Sequence, residues 1–174
     1  MRARPSARAG AAAARGARVS RGASVYPPIG DYALIGDTRC AGLVSRDGSL
    51  DWLCLPRFDS PSVFTALLDA ERGGRFRVRP VGPFEVERTY LADTNVVEIV
   101  FRTPSGTLAL RDALVVSSEE DQRAESTADH EVLRELEGLA GEVEVEVLYE
   151  PRPRYGRTRP RLERRGALRT TASR

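Results

Sequence analysis

Within eight residues of chain, Trp52, Arg57, Phe58 and Asp59 supply an indole, a guanidinium, a phenyl ring and a carboxylate. Aromatic faces stack on sugar rings, and Arg with Asp hydrogen-bonds hydroxyls, so this set suits a face turned toward a sugar or a partner domain. The structural alternative puts Trp52 and Phe58 in the core and leaves Arg57 and Asp59 as a local ion pair. Pro56 and Pro61 fix the backbone on either side under both readings.

Other chemistry is poorly provided for. All 27 basic residues are Arg, so no Walker loop with its Lys exists. Gly138-Leu-Ala-Gly141 lies between strand-like runs and reads as a turn, not as a dinucleotide fingerprint, and no Ser occupies a G-x-S-x-G elbow. His130 is the only His and borders an acidic stretch, which suits a solvated side chain better than a catalytic one. Two cysteines are too few for a disulfide scaffold or a Cys-built zinc site. Asp47 and Asp51 lack the spacing of a calcium loop, and the alternating Glu142, Glu144 and Glu146 describe the solvated face of a strand. The expectation is therefore no cofactor and no metal.

The elements that would position the four residues are mostly strands. Cys40–Arg46 and Ser49–Leu55 flank Asp47-Gly48, the preferred pair for a two-residue type I′ hairpin. That turn sets Arg46 opposite Ser49 and Leu43 opposite Trp52. Ala41, Leu43, Leu50, Trp52 and Cys54 then share one face, and Cys40 points away from Cys54, which forbids a bridge between them. Ser60 as N-cap, Pro61, the stripe Phe64, Leu67, Leu68 and the stop Gly73-Gly74 predict one short helix near residues 61–71. Beyond it, Phe76 and Val78 alternate with Arg, and Phe84, Val86 and Tyr90 with Glu and Thr. Runs at Asn95–Thr103, Thr107–Val116, Val132–Leu136 and Glu142–Glu150 follow. The class is mainly β, an antiparallel β-sandwich.

Charge divides the chain in three. Residues 1–24 carry +6, residues 25–150 carry −12 and residues 151–174 carry +8. The first 24 residues read as a disordered Arg/Ala-rich extension, residues 117–129 as an exposed loop, and 158–174 as an Arg-rich tail without structure. Those basic ends lack interleaved aromatics, so nucleic acid is not expected as a partner. No apolar run reaches membrane-spanning length, and the apolar stretch Ala11–Ala14 is too short for a secretory signal. With so few cysteines, a cytoplasmic compartment fits.

Three long motifs carry a resemblance. Tyr26-Pro-Pro-Ile-Gly-Asp-Tyr-Ala-Leu-Ile-Gly-Asp-Thr38, Leu43-Val-Ser-Arg-Asp-Gly-Ser-Leu-Asp-Trp-Leu-Cys54 and Pro56-Arg-Phe-Asp-Ser-Pro-Ser-Val-Phe64 closely resemble the opening of bacterial glycoside hydrolase family 15 proteins, the glucoamylase and trehalase type. The similarity continues through Gly73–Phe76, Tyr90–Asn95, Glu137–Glu142 and Pro151–Arg157, spanning residues 25–157. It implies a trehalase-like N-terminal β-sandwich, partial because the family's domain continues with further strands. In the family this domain precedes an (α/α)6 barrel whose two glutamates perform inverting hydrolysis. No catalytic residue carries over to this chain, which is expected to be inactive alone. The implied role is a non-catalytic accessory domain packing on a barrel, with Trp52, Arg57, Phe58 and Asp59 facing the barrel or the sugar, trehalose or α-glucan. A stand-alone carbohydrate-binding module and a non-functional truncated product are the alternatives.

Overall fold

The computed structural model describes residues 26–116 and 131–161, and the backbone of 17–18, 162–165 and 168–172. The remainder of the N-terminal extension, the acid-rich segment 117–129 and His130 lie outside the described residues.

Alternation builds two antiparallel sheets. The first contains β1 (Ala17–Arg18), β7 (Glu85–Tyr90), β8 (Val97–Arg102), β9 (Gly106–Leu114) and β10 (Val132–Gly141), in that spatial order. The second runs β11 (Val145–Tyr149), β6 (Phe76–Pro80), β4 (Ser49–Cys54), β3 (Ala41–Ser45), β2 (Tyr32–Gly36), and β5 (Ser62–Phe64) also pairs with β4. β12 (Arg161–Arg165) and β13 (Leu168–Ala172) pair as a separate hairpin in a segment whose sequence has no period. Every second residue of β8 points inward: Val97, Ile99 and Phe101 are fully buried while Arg102 is exposed. They meet Ile35, Val44, Leu50 and Leu53 of the opposite sheet, which forms the sandwich core. Among the described residues no helix is long and apolar enough to cross a membrane.

The helix expected near residues 61–71 does not form. Ser62–Phe64 is instead a strand, with Leu53 opposite Phe64 and Cys54 opposite Ser62. A closed loop follows, in which Thr65 N–H donates to Gly73 O at 2.9 Å and Ala66 N–H to Gly74 O at 3.2 Å. Phe64 is buried while Leu68 is 63 % exposed, so the apparent apolar stripe is two opposite strand and loop environments. Tertiary pairing to β4 outweighs a cap and a three-residue stripe.

The hairpin register holds at Leu43 opposite Trp52, but the turn is different. Gly48 alone is left-handed (φ 78°) and its N–H closes on Ser45 O at 3.0 Å, so the turn is not type I′, which would need a positive φ at Asp47 too. Asp47 keeps an ordinary φ and uses its carboxylate to accept from Ser45 Oγ and, at 3.2 Å, from Arg79 Nη1. Val44 then pairs with Leu50, and Asp51 becomes the extra residue of a bulge. The bulge turns Leu50 into the core beside Val44 and leaves Leu43 and Trp52 on the outer face. Cys40 and Cys54 are buried and are not joined by a disulfide, and Cys40 Sγ donates to Pro56 O at 2.7 Å.

Asp51 is buried on that outer side, where it accepts from Tyr32 OH at 2.9 Å and from Ser49 Oγ. Burial, then the adjacent Asp51 charge, raises the Tyr32 phenol well above its ordinary value of 10.0. The unfolded chain therefore loses this proton before the folded one, and stability falls as pH rises past about 10. Tyr32→Phe is expected to flatten that alkaline slope, read as urea midpoints at pH 8 and pH 11. An unchanged slope would place the effect elsewhere.

Candidate functional site

The loop between β4 and β5 is built to hold its shape. Ser60 N–H donates to Arg57 O at 3.0 Å, and Arg57 N–H donates back to Ser60 Oγ at 3.2 Å. Phe58 N–H donates to Arg39 O at 2.9 Å, which ties the loop to the turn between β2 and β3. That turn is closed by Asp37 Oδ1, which accepts from Arg39 N–H at 2.9 Å and Cys40 N–H at 2.6 Å, and it holds Thr38 at a left-handed φ of 74°. The backbone under Phe58 is thus bonded on both sides, while its ring is 69 % exposed. An apolar ring left in water on a tied loop contrasts with Trp52, which is half-buried.

Arg57 and Asp59 form a two-pronged ion pair, Nε to Oδ1 at 3.0 Å and Nη2 to Oδ2 at 3.1 Å. Both side chains are more than half exposed, so this pair contributes little to stability. It does pre-organise a donor and an acceptor edge beside the Phe58 ring. An open recess of about 480 Å³ lies here, lined by Thr38, Arg39, Pro56, Arg57 and Phe58. Leu34, itself 54 % exposed, and Asn95 border the adjoining hollow.

Arg57, Phe58 and Asp59 therefore fall together. Trp52 lies apart on the outer face of the sheet, in the cross-strand row Leu34, Leu43, Trp52, and makes no ring contact with Phe58. The ion pair of the structural alternative exists, but Phe58, which that alternative placed in the core, is exposed. Thr38, Arg39 and Leu34 were not singled out from sequence. They reach the site through the Phe58–Arg39 bond and the β2–β3 turn, which no local pattern reveals.

The buried carboxylates are occupied structurally. Asp112 pairs with Arg134, and Asp51 serves Tyr32 and Ser49. Glu146 is held below its usual range: burial pushes it up, but Arg77 and Arg79 together outweigh that. Burial raises the thiols of Cys40 and Cys54, which weakens them as nucleophiles. Among the described residues no three His, Cys, Asp or Glu side chains are grouped to hold a metal ion.

The described residues thus form a mainly β, two-sheet antiparallel domain with an exposed aromatic loop, whose buried acids are used to hold the fold. The chain belongs to the trehalase-like N-terminal family, which matches residues 19–173 and thus reaches beyond the span of the sequence motifs. It is 39 % identical over 133 residues to a trehalase of Mycolicibacterium smegmatis, covering 70 % of this chain and 19 % of that protein. A trehalase of Mycobacterium tuberculosis is 39 % identical over 132 residues, with the same coverage. A trehalase of Thermoplasma volcanium is 31 % identical over 130 residues, covering 74 % of this chain and 20 % of that protein. The chain spans about a fifth of the length of these relatives. No solved structure matches it.

Proposed function

We propose that this chain is a non-catalytic accessory domain of a trehalase-like enzyme of glycoside hydrolase family 15. In this reading it packs on an (α/α)6 catalytic barrel and turns Arg57, Phe58 and Asp59 toward the barrel or its sugar, with Trp52 on the same sheet beneath. The supporting observation is Phe58, a phenyl ring 69 % exposed on a loop whose backbone is bonded at Arg39 and Ser60. Together with the neighbouring Leu34, 54 % exposed in the same hollow, it offers apolar surface of the kind a partner or a sugar ring covers. The relatives supply the direction, since each is a trehalase about five times as long as the aligned segment. A second reading, a carbohydrate-binding module, is favoured by the Arg57–Asp59 pair, whose free edges suit sugar hydroxyls.

The purified chain is expected to release no glucose from trehalose or maltooligosaccharides; measurable release sensitive to no other enzyme's inhibitor would overturn the accessory reading. Titration with trehalose and with maltoheptaose, followed by tryptophan fluorescence and calorimetry, separates the two readings. No binding is expected of an accessory domain. Binding weakened roughly tenfold by Phe58→Ala would establish the carbohydrate-binding module instead.

A further inference from the structure

At the far end of the chain, Arg154 (φ 58°), Tyr155 (φ 58°) and Gly156 (φ 80°) make a full turn of left-handed backbone. Only glycine adopts this region without cost, so two side chains are carried here against the preference of the backbone. The turn is nonetheless well fixed. Arg154 N–H donates to Ser62 O at 2.9 Å, Tyr155 N–H to Ser62 Oγ at 3.1 Å, and Gly156 N–H to Arg152 O at 3.0 Å. Ser62 stands four residues after Phe58, so the turn is bonded to the strand that leaves the Phe58 loop.

The turn carries exposed side chains: Tyr155 is 53 % exposed, with Arg154 and Arg157 exposed on either side of it in sequence. Gly156 packs on the backbone of Arg72, where a Cβ would stand 3.1 Å from Arg72 O, and Arg72 is exposed as well. None of these three guanidiniums has a carboxylate partner among the described residues. Elsewhere in the sandwich, Arg75, Arg77, Arg79, Arg111 and Arg134 are each paired. Strained backbone that survives in a surface turn is a pointer to function.

We propose that Arg154 and Arg157 flanking Tyr155, with Arg72 at the backbone that Gly156 packs on, form a docking surface for an acidic polypeptide surface. Three positive charges without a carboxylate partner do not suit a neutral sugar, and a single aromatic among them lacks the stacking series that tracks a single-stranded nucleic acid. That the partner is protein rests on the accessory-domain reading above, because relatives of this domain carry some four-fifths of their length beyond the matched segment. Tyr155 supplies the apolar anchor and the guanidiniums supply orientation and charge complementarity.

Two measurements on the full 174-residue chain test this, and neither involves saccharide binding or hydrolysis, so they fail independently of the accessory reading. First, Tyr155→Gly removes the left-handed cost and is expected to raise Tm by about 2–4 °C. A lower Tm would mean that Tyr155 is kept for packing, and the proposal falls. Second, poly-L-glutamate is titrated at 50 and 200 mM salt as the acidic probe. Binding is expected to weaken with salt, and to weaken at least tenfold in the triple variant Arg72→Ser/Arg154→Ser/Arg157→Ser. The control Arg2→Ser/Arg4→Ser/Arg8→Ser should stay within twofold. Equal losses in both variants, absence of binding, or tighter binding of polyuridylate than polyglutamate at equal salt would each overturn the proposal, the last in favour of a nucleic-acid surface.

Discussion

Arg134→Met is expected to cost about 3–5 kcal/mol of folding stability, a large share of what a domain of this size possesses. Arg134 projects from β10 into the sandwich, and its side chain is 4 % exposed. Nε and Nη2 donate to Asp112 Oδ1 and Oδ2 at 2.8 and 3.0 Å. Nη2 also donates to Gly48 O at 2.8 Å, and Nη1 to Phe76 O, while the guanidinium lies 4.7 Å from the centroid of the Phe76 ring. One side chain thus joins β9 and β10 of the first sheet to two backbone carbonyls of the second. Removing it strands the Asp112 carboxylate, fully buried, and takes one donor from each of two carbonyls, of which Gly48 O keeps Val78 N–H. Burial already pushes Asp112 up, and Arg134 opposes that. Without Arg134 the folded state takes up a proton that the unfolded chain, at ordinary carboxylate pKa, does not. The variant should therefore regain stability as pH falls from 7 toward 5, and the gap to the parent protein should narrow. Adding Asp112→Leu should restore more than half of the loss, because a matched apolar pair has no charge to desolvate. Urea unfolding followed by circular dichroism at pH 7 and pH 5 reads all three. A loss below 1 kcal/mol would show that the clamp is dispensable.

How the clamp arises also marks the boundary of what sequence patterns carry. β6, β8, β9 and β11 are legible because alternation is local: Phe76 and Val78 against Arg77 and Arg79, or Val97, Ile99 and Phe101 against their polar neighbours. The pairing of Leu43 with Trp52 is legible for the same reason, since a short loop leaves few registers. Arg134, by contrast, reads only as a polar residue in the run Val132–Leu136, because its partners lie 22, 58 and 86 residues away. Arg88 and Tyr90 show the same limit. Tyr90 OH bonds both the N–H and the O of Leu34, and Arg88 reaches the carbonyls of Gly30 and Asp31, so one edge of the second sheet is stapled by side chains of the first. The helix near residues 61–71 misread a segment whose local signals were sound but weaker than pairing with β4. At the candidate site, the Arg57–Asp59 pair was legible as a spacing of two. The exposure of Phe58 was not, because burial is a property of the packed whole.

Gly48→Ala is expected to cost about 3–5 kcal/mol, and Gly82→Ala only about 1–2 kcal/mol, although both glycines are left-handed. Gly82 has φ 89° and open space around it, so an added methyl meets backbone strain and nothing else. Gly48 has φ 78°, and its Cβ would stand 2.1 Å from Val78 O and 3.1 Å from the Phe101 ring. Val78 O belongs to the neighbouring strand and cannot move without disturbing β6, whose Val78 N–H donates to Gly48 O at 3.0 Å. The same Gly48 O receives Arg134, so the turn is wedged between its own sheet and the clamp from the other. The need for glycine in the Asp47-Gly48 pair therefore comes from closeness as much as from φ. The hairpin needs one left-handed residue; the sandwich needs that residue to have no side chain. Denaturant midpoints of the two variants separate these demands: equal losses would reduce Gly48 to an ordinary turn glycine. A larger loss at Gly48, together with reduced sensitivity to Arg134→Met in the Gly48→Ala background, would place turn and clamp in one cooperative unit.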